Sequence, residues 1–310
     1  IYEQLDLQKI TEKIASKHKF KYDLDDILRK LVFTRILYPS SKKSSVDLSQ
    51  RFLEQPEFKL HQVYRALEVF AKESDFLQSE LYKASKKAFG RNDKILFYDC
   101  TNYFFEIEEA EGLKQYGQSK ESRPNPIVQM GLFMDADGFP LAFSLHPGNQ
   151  NEQVTLRPLE SKILKDFELS KFIVCTDAGL SSKANREFNN RGDRAYVTVQ
   201  SLKKLPKHLK DWALSAEGWE LPGSDEVFNL DELDEKKYDN DTFYKSRWMH
   251  EGELEQKLFV SYSPKYKNYM RQLRKEQLDR AANMVATPAK AQKTRPNDPK
   301  RFIQEERLTG

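Results

Sequence analysis

Two aspartates are placed where they could do chemistry together. Asp99 lies at the end of the apolar run KILFYDC and Asp177 at the end of KFIVCTD. Either one alone reads most simply as a turn or helix cap. Brought together at neighbouring strand ends, they would form a hard oxygen site suited to Mg²⁺ or Mn²⁺ and poorly suited to zinc. In such sites two ions roughly 4 Å apart activate an attacking oxygen and stabilise the leaving one during in-line displacement at phosphorus. Other chemistries lack their parts. The five histidines, His18, His61, His146, His208 and His250, have no ligand spacing. There is no GxxxxGK[ST] or GxGxxG string, which argues against a nucleotide cofactor. Cys100 and Cys175 are too few for a zinc ribbon or a disulfide framework and read as small core residues.

The elements that must position the aspartates follow from periodicity. Residues 1–90 repeat apolar side chains at three- and four-residue steps, broken at Tyr38-Pro39-Ser40-Ser41 and stopped by Gly90, so a helical lobe is expected. From residue 94 the period changes. KILFYDC reads as a buried strand, and QMGLFM and FPLAFSL flank Asp135-Ala136-Asp137-Gly138 as a hairpin. TLRPLESKILKDF reads as a helix that tolerates Pro158 in its first turn. KFIVCTD is a second buried strand, SSKANREFNNRG a helix and RAYVTVQ a last strand. This order resembles the ribonuclease-H-like core, whose first and fourth strands lie side by side and parallel, so the expected fold is a mixed α/β sheet with a helical amino-terminal lobe and a β-rich insertion. In that arrangement Asp99 and Asp177 meet.

The strings around the aspartates carry a more specific likeness. YDCTNYFFE, the GxSKxxR pattern of Gly117, Ser119, Lys120 and Arg123, QMGLFMDADGFPLAF, HPGNQNEQVTL and FIVCTDAGLSSKANREF resemble, in the same order, the DDE-type transposases of bacterial insertion sequences. The nearest branch carries a long insertion before its third acid. The likeness is firm over about residues 94–205 and looser elsewhere. It implies a DNA transposase that uses Mg²⁺ or Mn²⁺ to cut element ends and join them to target DNA, acting as a dimer on paired ends. Asp99 would be the first metal-binding carboxylate and Asp177 the second. Lys120 and Arg123 would contact the DNA backbone near the scissile bond, against a bland reading as solvated loop charges. Asn149 would shape the loop beside the metals, while Phe104 and Phe105 read as core.

The third acid departs from the family pattern. Tyr244, Arg247, Glu251 and Lys257 match the family's tyrosine, arginine, glutamate and lysine spacing except for one residue before the lysine. Gly252 interrupts any helix there and LEQKLFVSYS reads as a strand, so Glu251 is the lesser candidate. The glutamate is expected beyond Gly310, which makes the chain a fragment. The segments expected are a helical lobe to 90, a catalytic core over 91–205, an acidic insertion over 206–263, and a basic helix and linker over 264–310.

Of the 310 residues, 38% are hydrophobic and 32% charged, and the net charge is only +3. The charge is segregated: residues 1–90 carry 17 basic and 13 acidic side chains, 211–260 carry 5 and 14, and 265–310 carry 12 and 5. Uneven distribution of this kind suits a chain whose segments face different partners, although solvated helical faces give similar counts. YKNYMRQLRKEQLDRAANMV reads as an amphipathic helix with Tyr269, Met270, Leu273, Leu278 and Ala281 on its apolar side, and AKAQKTRPNDPKR as a linker or a phosphate-tracking strip. No run approaches 18 apolar residues and no secretory pattern opens the chain, so a cytoplasmic protein without a membrane partner is expected, and the resemblance implies a bacterial one. The rival readings are a nuclease or resolvase on the same core, and a non-catalytic DNA-binding remnant.

Overall fold

Residues 24–37 form a helix where Asp23, in extended backbone, accepts the N–H groups of Asp25 and Asp26 and so satisfies the first turn. The same logic recurs after Pro39-Ser40, where Ser41 accepts the Ser44 N–H at 3.2 Å. The computed structural model describes residues 1–286. It opens with α1 (Leu7–Ala15), α2 (Leu24–Leu37), α3 (Lys42–Ser49), α4 (Leu60–Lys72) and α5 (Ser74–Phe89). Ile10, Ile14, Leu24, Ile27, Val63, Ala66 and Phe70 bury the apolar stripes of these helices in one core.

Next come β1 (Ile95–Phe104), β2 (Ile127–Asp135), β3 (Pro140–Pro147), α6 (Leu156–Asp166), β4 (Ile173–Thr176), α7 (Lys183–Asn189) and β5 (Ala195–Thr198). The five strands form one sheet in the order β3-β2-β1-β4-β5. β1 pairs antiparallel with β2 and parallel with β4; β2 and β3 are antiparallel, and β4 and β5 parallel. Three antiparallel strands followed by helix-linked parallel ones make this core ribonuclease-H-like. Leu156, Leu159 and Ile163, at helical spacing on α6, pack with Leu96, Tyr98, Phe133 and Val174 on one face of the sheet. Burial of each such side chain contributes roughly 1.5–3 kcal/mol. Tyr82 of α5 joins this core while Leu77 and Leu81 of the same helix pack on the helical one, so lobe and sheet share a single compact unit, residues 1–201.

Two sequence expectations need correction. KILFYDC and KFIVCTD read as buried strands, but helices α5 and α6 cover only one face of them. Along β1 the residues therefore alternate: Leu96, Tyr98 and Cys100 are buried, whereas Ile95 and Phe97 are 37% and 44% exposed. Cys175, on the open face, is accordingly only half-buried, while Cys100 is in the core as expected. The second concerns Asp135, placed by its string in the hairpin connection, which instead ends β2 with no exposed surface. Its Oδ1 accepts the Phe139 N–H at 2.8 Å and its Oδ2 the Arg91 Nε at 2.5 Å. Gly138, at φ 82°, closes the turn.

A second buried pair lies beneath α6. Arg194 donates to Glu160 Oε1 at 2.5 Å and to the Phe188 carbonyl at 2.8 Å. Burial outweighs the arginine's charge and lifts the Glu160 carboxyl from 4.5 to about 7. A raised carboxylate favours the folded state fully below about pH 4.5, and that contribution falls as pH rises to about 7. Comparing wild type with Glu160→Gln by urea unfolding should show the stability difference shifting against wild type across this window, by on the order of 3 kcal/mol. A difference that stays constant from pH 4.5 to 7.5 would contradict the assignment.

The second unit begins at Leu202. It contains α8 (Lys207–Leu214), β6 (Trp219–Glu220), β7 (Val227–Phe228), β8 (Phe243–Glu251), β9 (Leu254–Tyr262) and α9 (Pro264–Ala286). The strands form an antiparallel sheet in the order β7-β6-β8-β9, with Phe228, Tyr238 and Phe243 packed edge to face. Its stretch of acidic charge falls largely on the turns. Lys245 is buried over the Trp219 ring and donates to the Ser215 carbonyl at 2.7 Å. Helix α9 forms as expected, but Tyr269, Met270 and Leu278 are exposed and Ala281 is buried. AKAQKTRPNDPKR lies outside the described residues. Among the described residues no helix is long and apolar enough to cross a membrane.

Candidate active site

The parallel pairing of β1 with β4 sets Tyr98 opposite Thr176, so Asp99 and Asp177 are the next residues along on neighbouring strands. Adjacent strands run about 4.8 Å apart. Phe97 is opposite Cys175 on the open face, and alternation carries both aspartates to that same face. Asp177 is extended at ψ 179° and caps the 3-10 turn Ala178–Leu180, its Oδ1 accepting the Gly179 and Leu180 N–H groups at 3.0 and 3.2 Å. Asp99 Oδ1 accepts the Cys100 N–H at 2.7 Å. The bland reading, an aspartate as cap, therefore holds for Asp177 without removing it from the site. Each carboxylate engages backbone through Oδ1, so Oδ2 is the oxygen a cation would take. Among the described residues no three histidine, cysteine or carboxylate side chains converge closely enough to hold a metal ion.

Lys120 reaches this corner from the loop before β2. Its ammonium lies 3.7 Å from Asp99 Oδ1 and 3.8 Å from Glu152 Oε1, and donates to the Cys100 carbonyl. The loop is held by Asn102, a nearly buried residue of β1, whose Oδ1 accepts the Lys120 N–H and whose Nδ2 donates to the Gln118 carbonyl, both at 3.3 Å. Arg123 instead stacks on Phe104, 4.7 Å from the ring centre, with Glu121 3.8 Å away. Phe105, expected in the core, is 37% exposed.

A second loop closes the site from the far side. Gly117 and Gly148 pass backbone against backbone: a Cβ on Gly117 would fall 1.9 Å from the Gly148 carbonyl oxygen, and one on Gly148 2.2 Å from that of Ile127. Only glycine fits at either position. Buried Gln129 donates to the carbonyls of Gly148 and Gln150 at 3.1 and 2.9 Å and fixes this loop to β2. Between the loops lies a groove of about 730 Å³ lined by Ser119, Lys120, Gln129, Asn149, Asn151, Glu152 and Gly179. Its lining is polar, whereas small-molecule pockets are mostly apolar.

No protein-family model matches the chain, and no curated protein matches it. Four solved chains do. A Mos1 transposase paired-end complex with the left transposon end is 14% identical at a TM-score of 0.24, over 59% of this chain and 61% of that one. A Mos1 mariner paired-end complex with Mn gives 14% and 0.24 over 58% and 59%. The piggyBac transposase synaptic complex with hairpin DNA is 10% identical at 0.34, over 84% of this chain and 58% of that one. The chain thus spans about three fifths of the length of the solved structures it matches. Likenesses this distant leave the fold to be judged on its own strand order.

Glu251 ends β8 and pairs with Leu254 across a hairpin tip at Gly252. A three-residue step on a strand puts Tyr244 and Arg247 on opposite faces, so the family spacing, which presumes a helix, groups nothing here. Sequence reasoning passed over Asn102, Gln129 and Glu152. Glu152, in the string HPGNQNEQVTL, could have been noticed as the only acid in a run of amides; Asn102 and Gln129 gave no signal, because their role is to bind loop backbone across 16 to 21 positions.

Proposed function

We propose that this chain is a metal-dependent DNA transposase of the bacterial insertion-sequence kind, in which Asp99 and Asp177 hold Mg²⁺ or Mn²⁺. The observation that carries the reading is the matched register of Asp99 and Asp177 where the parallel pairing of β1 with β4 stops, Asp177 just past the end of β4 and Asp99 midway along β1, which runs on to Phe104 rather than ending at the aspartate as expected, beside a polar groove. Hard carboxylate oxygens suit those ions, which when bound supply charge stabilisation to the attacking and leaving oxygens of a phosphodiester. The chain's own residues do the rest. Oδ1 of each aspartate is fixed by backbone N–H groups, so the carboxylates are oriented before any ligand arrives. The polar groove admits a phosphodiester backbone, and Lys120 on its wall and Arg123, stacked on Phe104 in the same loop, supply positive charge to it. Element ends and target DNA are the partners proposed, and a homodimer the assembly.

A strand-transfer assay with DNA carrying the ends of the element that encodes the protein tests this. Covalent joining of those ends to a target plasmid in Mn²⁺ is the expected result. Hydrolysis without joining would point to a nuclease or resolvase, and DNA binding with neither product to a non-catalytic remnant; each overturns the proposal.

A further inference from the structure

The Lys120 ammonium faces two carboxylates, Asp99 and Glu152, at nearly equal distance, and loop and strand hold it there through Asn102. We propose that Lys120 competes with a divalent cation for the Asp99 carboxylate, and that Glu152 is the positioning residue that shares its ammonium with Asp99. The inference rests on the metal-binding reading of Asp99 given above and deepens it.

The physical argument starts from charge. A carboxylate beside an ammonium is already partly neutralised, and a divalent ion coordinated to Asp99 would lie within a few ångströms of that same positive charge. The two cations repel, so binding of one loosens the other. Glu152 sets the balance. It opens the 3-10 turn Glu152–Val154, whose position is fixed by Asn151 accepting the Gln153 N–H at 3.0 Å, by the Thr155 hydroxyl donating to the Glu152 carbonyl at 2.7 Å, and by Asn185 donating to the Gln153 carbonyl at 3.0 Å. Its side chain therefore projects from a rigid turn to the ammonium. It is not itself close enough to the aspartates to complete a three-carboxylate cluster. When a cation takes Asp99, the freed ammonium is left on the groove wall, where a phosphate oxygen can accept from it.

Mn²⁺ binding without DNA, followed by the electron paramagnetic resonance of the free ion, tests this on the whole protein. Lys120 is on an exposed loop, so its replacement leaves the cores intact. Lys120→Gln is expected to tighten Mn²⁺ binding roughly two- to fivefold, the yield of losing one or two partly exposed ion pairs. Glu152→Gln should weaken binding while Lys120 is present, because the ammonium then pairs with Asp99 alone; in a Lys120→Gln background it should change nothing. Unchanged or weaker binding in Lys120→Gln overturns the inference. Weaker binding in Glu152→Gln in both backgrounds also overturns it, because Glu152 would then be a ligand. Asp99→Asn separates the two levels of the argument: if it leaves Mn²⁺ affinity at the wild-type value, the metal-binding reading fails whatever Lys120 does; if it abolishes binding while Lys120→Gln has no effect, only the competition fails.

Discussion

Asp177→Asn is expected to abolish strand cleavage and joining, by a thousandfold or more, while leaving DNA affinity and folding close to wild type. Asparagine caps a turn about as well as aspartate, so the Gly179 and Leu180 N–H groups keep an acceptor and the turn after β4 is preserved. What is lost is the negative charge at the end of β4. If metal-based charge stabilisation contributes several kcal/mol at the transition state, removing one ligand accounts for a loss of about 10³ or more. The same holds for Asp99→Asn, whose amide oxygen can still accept from Cys100. Filter binding and cleavage of end-labelled DNA, measured side by side in Mn²⁺, check both. Cutting by either variant at more than about a hundredth of the wild-type rate would remove these residues from the chemistry.

Arg91→Ala should be strongly destabilising while leaving the groove untouched. Arg91 and Asp135 are 4% and 0% exposed at their side chains. The guanidinium also donates to the Phe139 and Pro140 carbonyls at 3.0 Å and to Ser85 Oγ at 3.1 Å. Removing it strands a carboxylate in the interior and frees two carbonyls of the β2–β3 turn, a cost of about 3–5 kcal/mol. For a unit of this size that corresponds to a fall in melting temperature of very roughly 6–20 °C. Scanning calorimetry decides it. A decrease of only a degree or two would mean that the pair contributes little, and Asp135→Asn should then be equally mild.

Much of the core was legible before any coordinates. Helical periodicity over residues 1–90, the hairpin around Gly138, Pro158 in the first turn of α6 and the serine cap of α7 are local effects, carried by spacing, backbone freedom and capping within a few residues. The alternating order of strands and helices then limits the sheet to few topologies, since parallel crossovers are right-handed and short. Asp99 and Asp177 could be singled out for that reason alone.

What lay beyond the sequence is set by partners far apart along the chain. Whether β1 is covered on one face or two depends on which helices reach it, and its apolar string is compatible with both. Asp135 looks like a turn residue until Arg91, 44 positions earlier, is folded against it. Lys120 reads equally as a solvated loop charge or a phosphate contact; only the clamp by Asn102 and the proximity of Glu152 show that it faces carboxylates. Sequence patterns report local conformational preference and the side of an element that seeks burial. The tertiary fold decides which charges far apart along the chain become neighbours, because electrostatic partnership depends on distance in space and a residue's immediate flanks encode only its partners three or four positions away.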